Sequence, residues 1–343
     1  MRIGMLTGGG DAPGLNAAIR AVARRAFQYG YQVCGIHNGW LGLIEDTVEE
    51  FSQYSVSGIL HTGGTLLGAT RTNIFAVPDG VEKVLGTIKK HNMDAVVVIG
   101  GIDTLGVAQR LHQAHDVPLI GIPKTIDNNV PGTDQCIGFN SAVATVADAL
   151  DKLHTTASAH SRVIVVEVMG RDAGWLATLG GLAGGADYII IPEVSTTIAD
   201  ACEHLKRRAA LDKHHSIIVV AEGATLSDME ESLPPGPPDE FGHLRMDYRG
   251  IGDAVARAIE QCSNFEARTV VIGHLQRGGV PTVFDRVLAT RMGVMAVDLA
   301  REGRFGQMTA LHGNKIAPVP LSVLKAGVRQ VDVDLYRLAQ VFF

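Results

Sequence analysis

Short apolar runs alternate with amphipathic stretches along all 343 residues. Ile3–Thr7, Gln32–Ile36, Ala95–Ile99 and Pro118–Ile122 read as strands, and Val163–Glu167, Tyr188–Ile191, Ile217–Ala221 and Thr269–Ile272 repeat the pattern later. Ala95-Val96-Val97-Val98-Ile99 is apolar without alternation, as expected of a parallel strand covered by helices on both faces. Between the strands, Leu15–Tyr29, Val81–His91, Ser141–Thr156, Ile198–Leu211 and Gly250–Cys262 fit amphipathic helices. Such a βαβ series predicts an α/β fold with largely parallel sheets, right-handed crossovers and ligands at the carboxyl ends of the strands. Leu226–Tyr248 breaks the rhythm with Pro234-Pro235-Gly236-Pro237-Pro238 in a polar, acidic stretch, and reads as a surface insertion without chemistry.

Composition narrows the picture. A formal net charge of −6 offers no global attraction to nucleic acid or to an anionic membrane, so an anionic ligand needs local positive charge. Forty glycines exceed average usage and point to tight turns and close backbone approaches. Cys34, Cys136, Cys202 and Cys262 lie far apart without CxxC spacing and read as buried free thiols. No basic leader, cleavage site or long uncharged apolar run is visible, so the expected compartment is the cytoplasm.

Candidate chemistry sits at strand ends. After the first strand comes Gly8-Gly9-Gly10-Asp11-Ala12-Pro13-Gly14, then a helical run that Asp11 is placed to cap, with backbone N–H groups facing an anion. Taken alone, that turn is as readily structural as phosphate-binding. It fails the GxGxxG spacing of dinucleotide folds, and no GxxxxGK[ST] occurs, so a dehydrogenase and a P-loop NTPase both lose ground. Gly100-Gly101-Ile102-Asp103-Thr104 and Pro123-Lys124-Thr125-Ile126-Asp127-Asn128-Asn129 follow the strands Ala95–Ile99 and Pro118–Ile122, so three loops are expected on one rim of the sheet.

Gly9 to Gly14, Pro123 to Asn128, Glu167-Val168-Met169-Gly170-Arg171 and Gly273-His274-Leu275-Gln276-Arg277-Gly278-Gly279 resemble, in order and across essentially the whole chain, the signatures of 6-phosphofructokinases. Lipid and NAD kinases share a similar donor loop but should lack the last two motifs. The resemblance implies two similar doubly wound lobes with substrates meeting in a cleft: a donor lobe of 1–138 plus 277–326, and a sugar-phosphate lobe of 139–276 plus 327–343. It implies phosphoryl transfer to the C1 hydroxyl of fructose 6-phosphate with Mg²⁺ as cofactor. Asp127 is then the base, with Lys124, Thr125 and Arg171 beside the chemistry. Met169, Gly170, Glu222, His274 and Arg277 meet the sugar phosphate, and Arg162 and Arg268 reach in from a neighbouring subunit of a dimer or tetramer. Gly9, Gly10, Arg71, Gly101, Asp103 and Thr104 hold the donor, and Asp103 is the metal ligand.

Within that resemblance, ATP-using relatives generally have glycines where this chain has Asp103 and Lys124, so pyrophosphate is the expected donor and ATP the alternative. Ile102 and Asn129 replace acidic residues of the family, which leaves open a weakly active or non-catalytic sugar-phosphate binder, or one with another acceptor. Arg20, Arg24 and Lys213 match basic effector positions, but Gln53, His154 and Leu211 stand where further basic residues are usual. Little control by ADP or phosphoenolpyruvate is expected.

Overall fold

The computed structural model describes residues 1–229, 237–238, 240–243, 246 and 249–343. In chain order the elements are β1 (Arg2–Thr7), α1 (Leu15–Gln28), β2 (Gln32–Ile36), α2 (Trp40–Glu45), β3 (Val48–Phe51), α3 (Gly80–Lys90), β4 (Ala95–Gly100), α4 (Ile102–His115), β5 (Leu119–Pro123) and α5 (Phe139–His160). There follow β6 (Val163–Val168), α6 (Trp175–Ala183), β7 (Tyr188–Ile190), α7 (Ile198–Ala210), β8 (Ser216–Ala221), α8 (Ile251–Cys262), β9 (Ala267–Val271), α9 (Val283–Arg301), β10 (Gln307–His312), β11 (Lys315–Pro320) and α10 (Val333–Gln340).

The chain divides into two compact units. The first comprises Met1–Ile126, Val130–Ser141 and Arg277–Val328. Its seven-stranded sheet has the order β11-β10-β5-β4-β1-β2-β3. Strands β2, β1, β4, β5 and β10 are mutually parallel, and antiparallel β3 and β11 close the two edges. Every residue of β4 and β5 is buried, as their unbroken apolar runs require, because helices cover both faces. The core beneath α1 and α9 includes Ile3, Met5, Ile19, Val97, Ile99, Ile120, Leu288 and Met292. Each such side chain contributes roughly 1.5–3 kcal/mol on leaving water. Pro318 and Pro320 are tolerated in β11 because an edge strand has N–H groups to spare.

The second unit comprises Asp127–Asn129, Ala142–Gln276 and Arg329–Phe343. Its sheet has the order β7-β8-β6-β9, and every pairing is parallel. The α/β architecture with largely parallel, doubly wound sheets is therefore present in both units.

Two expectations need correction. Helix α1 starts at Leu15 with Gly14 as its N-cap, at φ 111° and with no side-chain cap, so Asp11 does not cap it. Only glycine adopts that backbone readily, and the three residues of turn between Asp11 and the helix carry the aspartate away from the first N–H groups. Cys202 and Cys262, expected to be free, form a disulfide between α7 and the end of α8, with Cα atoms 6.3 Å apart. Their separation of 60 residues gave no spacing signal; the packing of the two helices brings them together. Cys34 and Cys136 are free and buried. Much of the expected insertion at Leu226–Tyr248 lies outside the described residues.

Candidate active site

In the first unit, three strand-end loops gather around Lys124. This lysine is 1% exposed, and its Nζ donates to the carbonyls of Gly8, at 2.9 Å, and Gly10, at 2.5 Å. The Gly8 N–H donates to Ile99 O and the Gly9 N–H to Thr70 O, so the loop after β1 is tied to the end of β4 and to the Gly68–Asn73 segment that carries exposed Arg71. Backbone approach is close: a Cβ on Gly8 would lie 2.7 Å from Thr104 Cγ2, and one on Gly10 would lie 2.6 Å from Arg277 Nη1.

Gly101 is the extended N-cap of α4, Asp103 lies in that helix's first turn, and buried Thr104 receives Trp40 Nε1 on its carbonyl at 3.2 Å. Buried Arg277 donates to Asp11 O at 3.2 Å. Sequence reading placed Arg277 among the sugar-phosphate ligands; within the first unit its neighbours are the glycine loop residues Gly10 and Asp11. Gly9, Gly10, Gly101, Asp103, Thr104, Lys124 and Arg277 thus gather on the carboxyl-end rim of β1, β4 and β5. Thr125 continues this loop, its N–H donating to Ile137 O at 3.2 Å.

In the second unit, Asp127, Asn128 and Asn129 are all buried. Asn128 adopts φ +52°, a left-handed conformation that costs a non-glycine residue energy and persists when its surroundings enforce it. Arg329, which sequence reading did not single out, supplies that enforcement. Its guanidinium donates to Asn128 O at 3.3 Å and its N–H to Asn129 O at 2.8 Å, while its side chain stacks 4.2 Å over the Trp175 ring. Its signal lay in the C-terminal tail, with no motif spacing to the loop it braces.

The ends of β6 and β8 form a second cluster. Glu222, 8% exposed, accepts the N–H groups of Gly170, at 3.2 Å, and Arg171, at 2.9 Å. Gly170 has φ +144° and Arg171 φ +52°, and the two bonds to Glu222 help hold the Met169-Gly170-Arg171 turn in this uncommon backbone shape. A Cβ on Gly223 would fall 1.8 Å from Arg171 O, which explains glycine there. Buried Glu167 receives the Gly252 N–H at 2.8 Å, and desolvation pushes its carboxyl above the ordinary range.

Arg162 and Arg268 stand apart from this cluster and share one acid. Arg162 Nη2 meets Glu266 at 3.2 Å, and Arg268 pairs with the same Glu266 and with Glu260 at 3.3 Å. His274 is exposed in a short 3-10 turn, Gly273–Gln276. At the expected effector positions, Arg20 and Arg24 lie one turn apart on α1, and His154 Nε2 is engaged with Gly184 O at 2.8 Å.

Magnesium needs hard oxygens but commonly takes only one or two protein carboxylates, with phosphate and water completing the octahedron. Asp103 offers one carboxylate at a partly exposed helix start, and among the described residues no three His, Cys, Asp or Glu side chains cluster as a metal cage. These residues fit an ion that arrives largely coordinated by phosphate.

Comparison with known proteins identifies the family. Residues 2–300 match the family model described as Phosphofructokinase. A pyrophosphate--fructose 6-phosphate 1-phosphotransferase of Dictyoglomus thermophilum is 44% identical over 344 residues, covering 100% of this chain and 99% of its own. An ATP-dependent 6-phosphofructokinase of Corynebacterium efficiens is 43% identical over 345 residues, covering 100% of this chain and 99% of its own. The structure of phosphofructokinase from Saccharomyces cerevisiae superposes with a TM-score of 0.80 at 30% identity over 99% of this chain, which spans 46% of that longer polypeptide. Motif order, two parallel-sheet units and full-length similarity converge: this chain belongs to the phosphofructokinase family.

Proposed function

We propose that the protein transfers a phosphoryl group from pyrophosphate to the C1 hydroxyl of fructose 6-phosphate, giving fructose 1,6-bisphosphate and phosphate. The observation that carries the donor choice is Lys124, buried against the Gly8 and Gly10 carbonyls, with Asp103 in the first turn of α4. Family members that use ATP generally have glycine at both positions. Side chains there occupy room that the α-phosphate and nucleoside need.

In the reaction the C1 oxygen forms a bond to phosphorus as the bridging P–O bond of pyrophosphate breaks. Asp127 accepts the hydroxyl proton, and the leaving phosphate carries away the bridging oxygen. Gly9, Gly10, Gly101, Thr104 and Arg71 position the donor, and Arg171 neutralises charge on the transferred group. Met169, Gly170, Glu222, His274 and Arg277 orient the sugar phosphate, Arg277 from beside the glycine loop. Arginine suits these contacts because its planar fork makes bidentate bonds to phosphate. Bound Mg²⁺, with Asp103 as its protein ligand, supplies charge neutralisation on the phosphates.

Arg162 and Arg268, both oriented by Glu266, serve a neighbouring subunit, so the working form is a homo-oligomer, a dimer or tetramer. Among the described residues no helix is long and apolar enough to cross a membrane, and we assign the enzyme to the cytoplasm. A second reading, a sugar-phosphate binder of feeble activity, draws on Ile102, which opens α4 where the family has an acid, and on Asn129.

The test follows fructose 1,6-bisphosphate with purified protein, Mg²⁺, fructose 6-phosphate and pyrophosphate. Asp127→Asn should lower kcat by about 100-fold or more, the contribution of a positioned general base, with sugar-phosphate affinity retained. Sugar-phosphate binding without turnover would favour the second reading.

A further inference from the structure

Two buried carboxylates sit at the same end of neighbouring strands in the second unit. The register pairs Glu167 with Val220 and Val168 with Ala221, one residue short of Glu222. Glu167 is 7% exposed and Glu222 8% exposed. Burial penalises a carboxylate charge, and at Glu167 the neighbouring Asp253 adds to that cost, so a nearby cation stabilises this end of the strands.

That cation is Arg249, just before α8. Its guanidinium forks onto the carbonyl of Glu222, at 3.2 Å, and that of Ala224, at 3.0 Å. It lies in the field of Glu167, Glu222 and Asp172, which oppose the downward pull of its own burial. Three residues further on, the Gly252 N–H holds Glu167 at 2.8 Å, so the start of α8 grips both strand ends.

We propose that Arg249 is a positioning residue for the acceptor: by clamping the Glu222–Ala224 backbone and partly offsetting the buried charge of Glu167, it fixes the Met169–Arg171 turn on which the sugar phosphate is held. The inference rests on the reading of fructose 6-phosphate as acceptor. Transmission is direct. The Glu222 carboxylate carries the Gly170 and Arg171 N–H groups, and Gly223 packs so closely on Arg171 O that no Cβ fits between them. A shift of a few tenths of an ångström in residues 222–224 therefore moves Arg171.

Titration calorimetry with fructose 6-phosphate alone, and steady-state kinetics with pyrophosphate, test this on the full-length protein. Arg249→Lys keeps the charge and loses the two-pronged geometry. It should weaken fructose 6-phosphate binding about 10-fold, the loss of roughly one charged hydrogen bond, with KM for pyrophosphate and Tm near wild type. Arg249→Met should weaken it further, and adding Glu167→Gln should recover part of the loss, a non-additivity expected only if the two groups are electrostatically coupled. Wild-type affinity in Arg249→Lys, strict additivity in the Arg249→Met/Glu167→Gln pair, or a fall in Tm without a change in sugar-phosphate affinity would each overturn the inference. A wild-type protein that neither binds nor phosphorylates fructose 6-phosphate refutes the functional reading, and the inference with it. A wild type that does both, with Arg249 variants that match it, refutes the inference alone.

Discussion

Lys124 Nζ donates across 2.9 Å to the carbonyl of Gly8, a residue 116 positions earlier in the chain. With the second bond to Gly10 O, the ammonium fastens the glycine loop after β1 to the end of β5. Lysine at this position thus sets the shape of the glycine loop that we propose holds the donor. Lys124→Met keeps the bulk and leaves two carbonyls without that donor, at about 1–3 kcal/mol for each unsatisfied group. We expect kcat/KM for pyrophosphate to fall by about 100-fold, with binding of fructose 6-phosphate alone unchanged by calorimetry. Unchanged pyrophosphate kinetics would show that the brace is dispensable.

Gly223 is predicted to be irreplaceable for a steric reason. A methyl there would sit 1.8 Å from Arg171 O, a contact no rotamer relieves because both partners are backbone or Cβ. Gly223→Ala should lower stability by about 1–3 kcal/mol, as forced overpacking does, and raise KM for fructose 6-phosphate more than KM for pyrophosphate. Thermal unfolding and kinetics of the one variant check both effects.

Asp285 is fully buried and accepts Gly138 N at 3.0 Å, Ser141 N at 2.8 Å and Ser141 Oγ at 2.6 Å. It holds the segment whose Ile137 bonds both Pro123 and Thr125. Desolvation outweighs the three donors and pushes its carboxyl above the ordinary range. The sign of its pH effect follows. The unfolded chain ionises this group first, so the stability it contributes is complete below about pH 4 and is lost as pH rises through the folded value. Asp285→Asn removes that slope and turns an amide toward N–H donors. Its destabilisation relative to wild type should therefore be largest near pH 4 and shrink toward neutrality, measured as Tm against pH. A penalty that grows with pH would contradict the assignment.

The parallel cores were legible because strands buried on both faces must be apolar throughout, as Ala95–Gly100 is. The edges were not. In β3 the two central residues are glutamates, and β11 carries two prolines, so neither gives the apolar run that marks a strand. Helix α9 is built largely of small and aliphatic residues with weak periodicity, which hid it. The glycine and acid-rich strand ends were visible as candidate phosphate and sugar sites, since backbone approach and proton transfer restrict which residues serve. The braces behind them were silent: Arg249 and Arg329 act on backbone carbonyls, which carry no residue-specific pattern, and the Cys202–Cys262 pair depends on helix packing alone.

The proposed reaction turns on the identity of the donor. With fructose 6-phosphate and Mg²⁺ fixed, kcat/KM measured separately for pyrophosphate and ATP decides it. Turnover with pyrophosphate and a preference over ATP of at least about 100-fold are expected, the size anticipated if Lys124 and Asp103 exclude the nucleoside. Equal or better use of ATP would contradict it.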